Sequence, residues 1–212
     1  MPDPDARVDG GLLAAWPLPR PGEDGDKHDR GLVVVIGGSA TVPGAVLLAG
    51  VAALRSGAGK LRLATAASAA VPLALAVPEA MVVGLAEDDE GALSEDAAQG
   101  AADLVSRARA VVVGPGTTAG AAVSALAGAV VDRVAGGAED VGDGDGGREP
   151  APVLVLDAGA IAWLTEAGAV DRLAALGGRV VVTPNPDEMG RCFDCDEREI
   201  EADPGAVARR AA

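Results

Sequence analysis

Three features of the sequence predict an α/β protein with helices on both sides of a mainly parallel sheet. Short apolar segments rich in valine alternate along the chain with longer apolar segments of helical length. Several of the short segments end in glycine, threonine or aspartate. The length of 212 residues suits one domain with its own core. Right-handed crossovers then place the loops after the strands at one sheet edge, where such folds bind ligands.

The composition narrows the classes of partner. With 17 basic and 32 acidic residues the formal net charge is −15, which argues against a nucleic acid or an anionic membrane. A phosphorylated metabolite stays possible, because backbone N–H groups bind phosphate in an acidic protein as well. No secretory signal and no apolar stretch of about 18 residues is visible, so we expect a cytoplasmic protein.

The chain divides into an arm and one domain. Residues 1–29 are rich in proline, glycine and aspartate and are predicted to form an N-terminal arm. Residues 30–212 form the domain, in which 136–152 has the composition of a flexible loop between a helix and a strand. Lys27 and His28 precede the first strand, and a solvated arm is favoured over a ligand contact there.

The first strand–helix–strand unit carries a glycine turn. Leu32 to Ile36 reads as a buried strand, Ala45 to Leu54 as a buried helix and Lys60 to Thr65 as the next strand. Between the first two lies a turn that contains Gly38 and Ser39. Glycine lets a ligand approach the backbone, and the following helix N-terminus favours an anion. A tight turn without a ligand is the alternative.

The middle of the chain continues the alternation. A second glycine turn, from Gly114 to Thr118, follows a buried strand and is placed at the same edge. The predicted elements are a helix at 66–77, a strand at 80–85, a helix capped by Ser94 that runs to 106, a strand at 110–113 and a helix at 120–134.

Two further strands end in polar residues. Asp157 follows the strand at 153–156, and either faces the crevice or caps the next helix. The strand at 179–182 leads into a proline-rich loop that presents Asn185, while Glu188 begins another helix. Residues 197–212 are predicted to be helical.

The two cysteines form an isolated CxxC pair. Cys192 and Cys195 lack the further ligands that a zinc site needs, because the single histidine is distant in sequence. Two buried or half-buried thiols on a short helix are favoured over a redox pair, and we predict no metal ligands.

Five stretches in this order resemble a known family: GGSATVPGAVLLAGVAALRSGAGKLRLAT, PEAMVVGL, VVVGPGTT, VLVLDAGAI and VVVTPNPDE. From about Trp16 to Pro204 the chain resembles the ADP/ATP-dependent NAD(P)H-hydrate dehydratases of the ribokinase-like superfamily. The resemblance implies a three-layer α/β/α fold and a homo-oligomer at full length. It also implies that ADP or ATP with Mg²⁺ phosphorylates the hydroxyl of hydrated NADH or NADPH, after which phosphate leaves and the coenzyme is restored. GGSATVPG does not match the GxGxxG of dinucleotide-binding Rossmann enzymes.

The resemblance also assigns residues to the hydrate site. Ala45 matches the alanine of the family's PGAA stretch, and Gly116 matches the middle of its GPGxG turn. Thr118 replaces the last glycine of that turn, and Asn185 replaces the histidine of TPHPGE. Gly159 replaces an aspartate of the DADAL stretch. The predicted substrate-binding residues are Ala45, Gly116, Thr118 and Asn185, with Gly38, Ser39, Asp157 and Glu188 as further candidates.

The family's catalytic aspartate has no counterpart here. It belongs to a GSGD or GTGD turn downstream of TPHPGE, and no such turn follows Glu188. The GDGD at 142–145 has the pattern but precedes a strand and comes before Asn185, so we reject it. We therefore expect the chain to be the N-terminal part of a dehydratase, without its catalytic aspartate and most of its adenine-nucleotide site. The alternatives are an inactive short paralogue that binds a dinucleotide or a partner, and another ribokinase-like small-molecule kinase.

Overall fold

The computed structural model describes residues 8–15, 30–136 and 152–212. The strands are β1 (Leu32–Ile36), β2 (Lys60–Ala66), β3 (Ala80–Leu85), β4 (Ala108–Val113), β5 (Val153–Leu156) and β6 (Val180–Val182). The α-helices are α1 (Gly10–Ala15), α2 (Gly44–Arg55), α3 (Ala67–Ala76), α4 (Ala97–Leu104), α5 (Ala121–Gly136), α6 (Ala169–Ala174), α7 (Pro186–Phe193), α8 (Glu197–Ala202) and α9 (Pro204–Ala211). A 3-10 helix (Ala158–Thr165) follows β5.

All strands pair in parallel, in the order β3-β2-β1-β4-β5-β6. The chain winds outward from β1 to β3, returns to the other side of β1 with β4, and winds outward again to β6. The strand order therefore reverses between β1 and β4, and this switch point opens a crevice at the carboxyl ends of those strands. The predicted parallel α/β fold is confirmed, with helices on both faces of the sheet.

Alternating side chains of the strands build two cores. On one face Val35, Leu61 and Leu63 are at most 3% exposed and pack against Val46 of α2 and Leu73 of α3. On the other face the neighbouring strand residues pack against α4, α5, α6 and the 3-10 helix. Successive residues of a strand point to opposite faces, and because both faces are covered, the residues from Val34 to Ile36 of β1 are all buried.

The predicted start of one helix is wrong. The helix predicted to be capped by Ser94 begins at Ala97, because the carbonyl oxygens of Ser94 and Glu95 accept from the N–H groups of Ala97 and Ala98 in a preceding turn. The C-terminal segment is helical as predicted, and it forms two helices, α8 and α9. They meet at Asp203, which precedes a proline and caps α9 by accepting from the N–H of Ala206.

Parts of two predicted segments lie outside the described residues. Of the predicted arm 1–29, only residues 8–15 are described, and they include the exposed helix α1. Trp16, Lys27 and His28 lie outside, as does the interior of the predicted loop 136–152 with its GDGD stretch. Within the described ranges no helix is long and apolar enough to cross a membrane.

Candidate functional site

The loops after β1 and β4 contact each other through their backbones at the switch point. The N–H of Gly38 donates to the carbonyl oxygen of Pro115 at 2.7 Å, and the N–H of Gly114 donates to Ile36 O at 2.9 Å. A Cβ atom added to Gly37 would overlap that same Pro115 oxygen. The two loops can approach this closely only because no side chain separates them.

Ala45, in the first turn of α2, completes this contact. Gly38 and Gly116 have φ of +72° and +74°, a region that favours glycine. A Cβ atom on Gly116 would lie 2.9 Å from the Cβ of Ala45 and 2.8 Å from Val42 O. The structure therefore brings together Gly38, Ala45 and Gly116, which the sequence analysis placed at one site. We call Gly37, Gly38, Gly114, Gly116 and Ala45 the glycine cradle.

The helix that leaves the cradle has no side-chain cap. Pro43 occupies the position before α2 and makes no capping hydrogen bond. The Ser39 hydroxyl accepts from the N–H of Val42 at 3.1 Å and lies 3.2 Å from the Thr41 hydroxyl, so it shapes the approach to the helix. The first turn of α2 thus presents its N–H groups and its positive dipole end at the crevice without a carboxylate of its own sequence to neutralise them.

Asp157 joins two strand ends. Its carboxylate accepts from the Thr183 hydroxyl at 2.7 Å and makes no capping hydrogen bond to the 3-10 helix. Of the two interpretations in the sequence analysis, the cap is wrong, and a contact to a ligand in the crevice stays a prediction. The hydrogen bond connects the carboxyl ends of β5 and β6 and positions the loop that leads to Asn185.

Asn185 and Glu188 form a reciprocal cap at the start of α7. The Asn185 amide oxygen accepts from the N–H of Glu188, and the Glu188 carboxylate accepts from the N–H of Asn185, both at 2.9 Å. The amide oxygen and the carboxylate therefore stabilise the helix. Among the described residues no group accepts from the Asn185 NH2, so this exposed donor is available to a ligand.

Thr118 and Glu188 line a cavity of about 420 Å³ beside the cradle. The cavity lies between the loop after β4, the 3-10 helix and α7, and Arg191 and Cys192 also line it. Burial raises the pKa of the Cys192 thiol above its ordinary value, and the positive charge of Arg191 partly opposes this shift. The thiol donates weakly to Ile161 O at 3.5 Å, and both cysteines are half-buried and unpaired. The predicted half-burial of both thiols is confirmed, but only Cys192 lies on a helix, α7, and Cys195 follows its end.

Two departures from the family pattern lie against each other. Gly159 is buried beneath the Thr118 loop. A Cβ atom on Gly159 would be 2.7 Å from the Thr117 hydroxyl oxygen and from the Thr118 carbonyl carbon, and 2.9 Å from Ala119 N. An aspartate at position 159 does not fit this conformation of the loop backbone at Thr118 and Ala119.

Thr65, the penultimate residue of β2, is a site residue that was not predicted from the sequence. Its hydroxyl is completely buried, has no hydrogen-bond partner among the described residues, and would be 2.7 Å from a Cβ on Gly38. It therefore lies directly behind the cradle and restricts position 38 to glycine. The available signal was a single threonine at the end of an apolar strand. No group of three or more metal-ligating side chains occurs in the ranges 8–15, 30–136 and 152–212.

The fold and the cradle define a doubly wound α/β protein with a ligand crevice at its switch point. Comparison with known proteins specifies the family. The family model for NAD(P)H-hydrate dehydratase matches residues 33–212. The chain belongs to this family, as the five sequence stretches predicted.

Relatives and solved structures agree. The chain is 42% identical over 207 residues to the ADP-dependent (S)-NAD(P)H-hydrate dehydratase of Xanthomonas campestris, covering 95% of this chain and 61% of that protein. It is 30% identical to the bifunctional NAD(P)H-hydrate repair enzyme of Escherichia coli, covering 93% of this chain and 32% of that protein. The ADP/ATP-dependent NAD(P)H-hydrate dehydratase of Bacillus subtilis, co-crystallised with ATP/Mg²⁺, superposes with a TM-score of 0.66 at 28% identity, over 92% of this chain and 58% of that one. The chain thus spans about three-fifths of the length of the Xanthomonas relative.

Proposed function

We propose that this chain binds the S-form of hydrated NADH or NADPH in the crevice at the switch point. In this proposal it supplies the substrate-binding part of an ADP-dependent NAD(P)H-hydrate dehydratase, a lyase that restores the reduced coenzyme. The observation that carries the proposal is the glycine cradle, in which Gly38, Gly116 and Ala45 meet at the uncapped N-terminus of α2.

The geometry suits the charged part of a dinucleotide. Gly38 and Gly116 leave the backbone accessible, and the first turn of α2 offers N–H groups and a positive dipole end. A pyrophosphate held there does not need basic side chains, which is consistent with a net charge of −15. The hydrated ring would then lie toward β6, where the Asn185 NH2 is an available donor.

The same residues do not account for phosphoryl transfer. No Gly-x-Gly-Asp turn follows Asn185 in the sequence, and the described residues contain no three-ligand metal group. We therefore assign recognition of the hydrate to the cradle and assign no residue to ADP, ATP or Mg²⁺. ADP as the preferred nucleotide is supported by the name of the Xanthomonas relative. A homo-oligomer is proposed from the family resemblance, and a cytoplasmic location is proposed because the sequence shows no recognisable secretory signal.

The test is a calorimetric titration of the 212-residue chain with NADHX. Ala45→Leu inserts a branched side chain against Gly116, and we expect at least a tenfold loss of affinity. The matched control is Ala52→Leu, at an exposed position of the same helix, which should leave the affinity unchanged. Equal affinities for the two variants would contradict the proposal.

Turnover is measured separately, as recovery of absorbance at 340 nm with NADHX and ADP. We expect binding without turnover by these 212 residues. Turnover at the rate of a full-length relative would show that a catalytic group lies within them, and that the assignment of the missing aspartate is wrong.

A further inference from the structure

A second cleft, of about 910 Å³, opens at the amino edge of the sheet, opposite the glycine cradle. It is lined by residues at or just before the first positions of β1 to β4, among them Gly31, Lys60, Glu79 and Arg107. Since the amino ends of parallel strands meet at one edge, these residues are distant in sequence but adjacent in the fold.

The cleft is basic in an acidic protein. Its lining contains four cationic side chains, those of Lys60, Arg62, Arg107 and Arg109, and one carboxylate, that of Glu79. The whole chain has 32 acidic residues against 17 basic ones. The three arginines, Arg62, Arg107 and Arg109, surround one concave surface, so their like charges repel each other and create a local positive field. An anion in the cleft would be attracted to that field.

Two irregularities of the backbone position Arg107 and Arg109 at the cleft. Leu32 pairs with Ala108 while Val33 pairs with Ala110, so Arg109 is the extra residue of a β-bulge, a device that redirects a side chain. Gly31 opposite has φ of +75°, and a Cβ there would overlap Cγ of Arg109. Arg107 itself has φ of +62°, which is unfavourable for a residue with a side chain.

Arg62 adds an unsatisfied donor beside the cleft. One terminal nitrogen of its guanidinium donates to Leu104 O, which fixes the orientation of the group. Its Nε is buried and has no acceptor among the described residues. A buried N–H without an acceptor is unfavourable, so Arg62 is held beside the cleft at a cost in free energy.

We propose that this cleft binds a small molecule bearing at least two phosphate groups. The number of arginines favours phosphate, since the planar guanidinium matches its oxygens. The volume exceeds what a single inorganic phosphate fills. A nucleic acid is disfavoured by the overall negative charge. The proposal rests on the amino edge alone and is independent of the proposed function.

The experiment is a calorimetric titration of the whole chain with inorganic pyrophosphate, and separately with orthophosphate. We expect saturable binding of pyrophosphate at least tenfold tighter than that of orthophosphate. The variant Arg107→Asn with Arg109→Met removes two charges while asparagine tolerates the left-handed backbone and methionine preserves packing. It should weaken pyrophosphate binding at least tenfold.

The matched control removes two charges elsewhere. Arg133→Gln with Arg198→Gln changes exposed positions of α5 and α8 and should leave pyrophosphate affinity within twofold. An equal loss in both double variants would indicate a general charge effect and overturn the proposal, as would absence of saturable binding by the unmodified chain.

Amide hydrogen exchange on the unmodified chain locates the ligand without any variant. Protection by pyrophosphate at residue 31 and at 106–110 supports the proposal. Protection confined to the glycine cradle would assign pyrophosphate to the crevice at the carboxyl edge and overturn it. A concentration-dependent dimer abolished by the Arg107 and Arg109 changes, without pyrophosphate binding, would overturn it in favour of contact between copies.

Discussion

The candidate site consists of two regions that are built differently. At the junction of β1 and β4 the glycine cradle is held by backbone hydrogen bonds, and Gly37, Gly38 and Gly114 are buried. At the corner between β6 and α7 the structure depends on side chains, the reciprocal cap of Asn185 and Glu188 and the bond from Thr183 to Asp157.

The difference determines how each region responds to substitution. At the cradle glycines the space that a Cβ would need is already occupied, by the Thr65 hydroxyl at Gly38 and by a backbone oxygen at the other three, so only glycine fits. At the corner a lost side chain removes a hydrogen bond, and water can replace it because Asn185 is exposed. The cradle glycines therefore tolerate no substitution, whereas a polar residue at the corner between β6 and α7 can be replaced by another polar residue.

Gly114→Ala is expected to have the largest effect on stability. Gly114 has φ of +111°, and its Cβ would overlap Asp157 O. We expect a loss of about 3 kcal/mol or more in the free energy of unfolding, measured by urea denaturation. The control Gly136→Ala lies at the end of α5 with no atom within 4 Å of its Cβ, and should change stability by less than about 1 kcal/mol. Similar results for both would show that the β4 loop moves easily.

Gly159→Asp tests the link between the cradle and the neighbouring cavity. The added side chain meets the backbone of Thr118 and Ala119, and we expect a loss of about 2 kcal/mol by the same measurement. The control Gly120→Asp has open space and precedes α5, so it should be neutral or slightly stabilising. A Gly159→Asp variant as stable as the parent would show that the loop rearranges freely.

Asn185→Ala tests the corner. Loss of the reciprocal cap of α7 should cost about 1 kcal/mol in unfolding free energy. Asp187→Ala removes only an exposed carboxylate that lies 3.7 Å from Arg191, and should cost about 0.3 kcal/mol. If Asn185→Ala costs as much as Gly114→Ala, the contrast between the two regions is wrong.

The smallest expected effect concerns Cys192, whose rate of alkylation should be low near neutral pH while the protein stays folded. Burial raises the pKa of this thiol, so less reactive thiolate is present near neutral pH than in the unfolded chain. The rate of labelling by iodoacetamide, followed by mass spectrometry of the peptide, should keep rising with pH above about 9. A rate that levels off below pH 8 would contradict this.

Much of the fold was predictable because its elements depend on local patterns. The strands at 32–36, 80–85 and 153–156 have the predicted bounds, since each is a short apolar run ended by glycine, alanine or aspartate. The helix expected to follow Ser94 directly begins later, because the N–H groups of Ala97 and Ala98 first close a turn. The C-terminal segment is helical as predicted, and its division at Asp203 follows from a local signal, because a residue before proline disfavours helix.

The sequence predicted which edge of the sheet carries the site, but not how the residues at that edge contact one another. That Gly38 and Gly116 share one edge followed from the crossover rule, whereas their contact with Ala45 required the packing of α2. The use of Asp157 to bind Thr183, and the buried Thr65 hydroxyl behind Gly38, depend on neighbours far apart in sequence.

By itself the sequence determined the class of fold, the family and which glycines form the turns after the strands. It could do so because the spacing of apolar residues and the residue types in turns are local properties of the chain. Only the tertiary structure decided that Thr118 and Gly159 share one contact and that cations from β2 and β4 surround one cleft. The physical reason is that distances between strands follow from register and from the bulge at Arg109, which the order of residues does not encode locally.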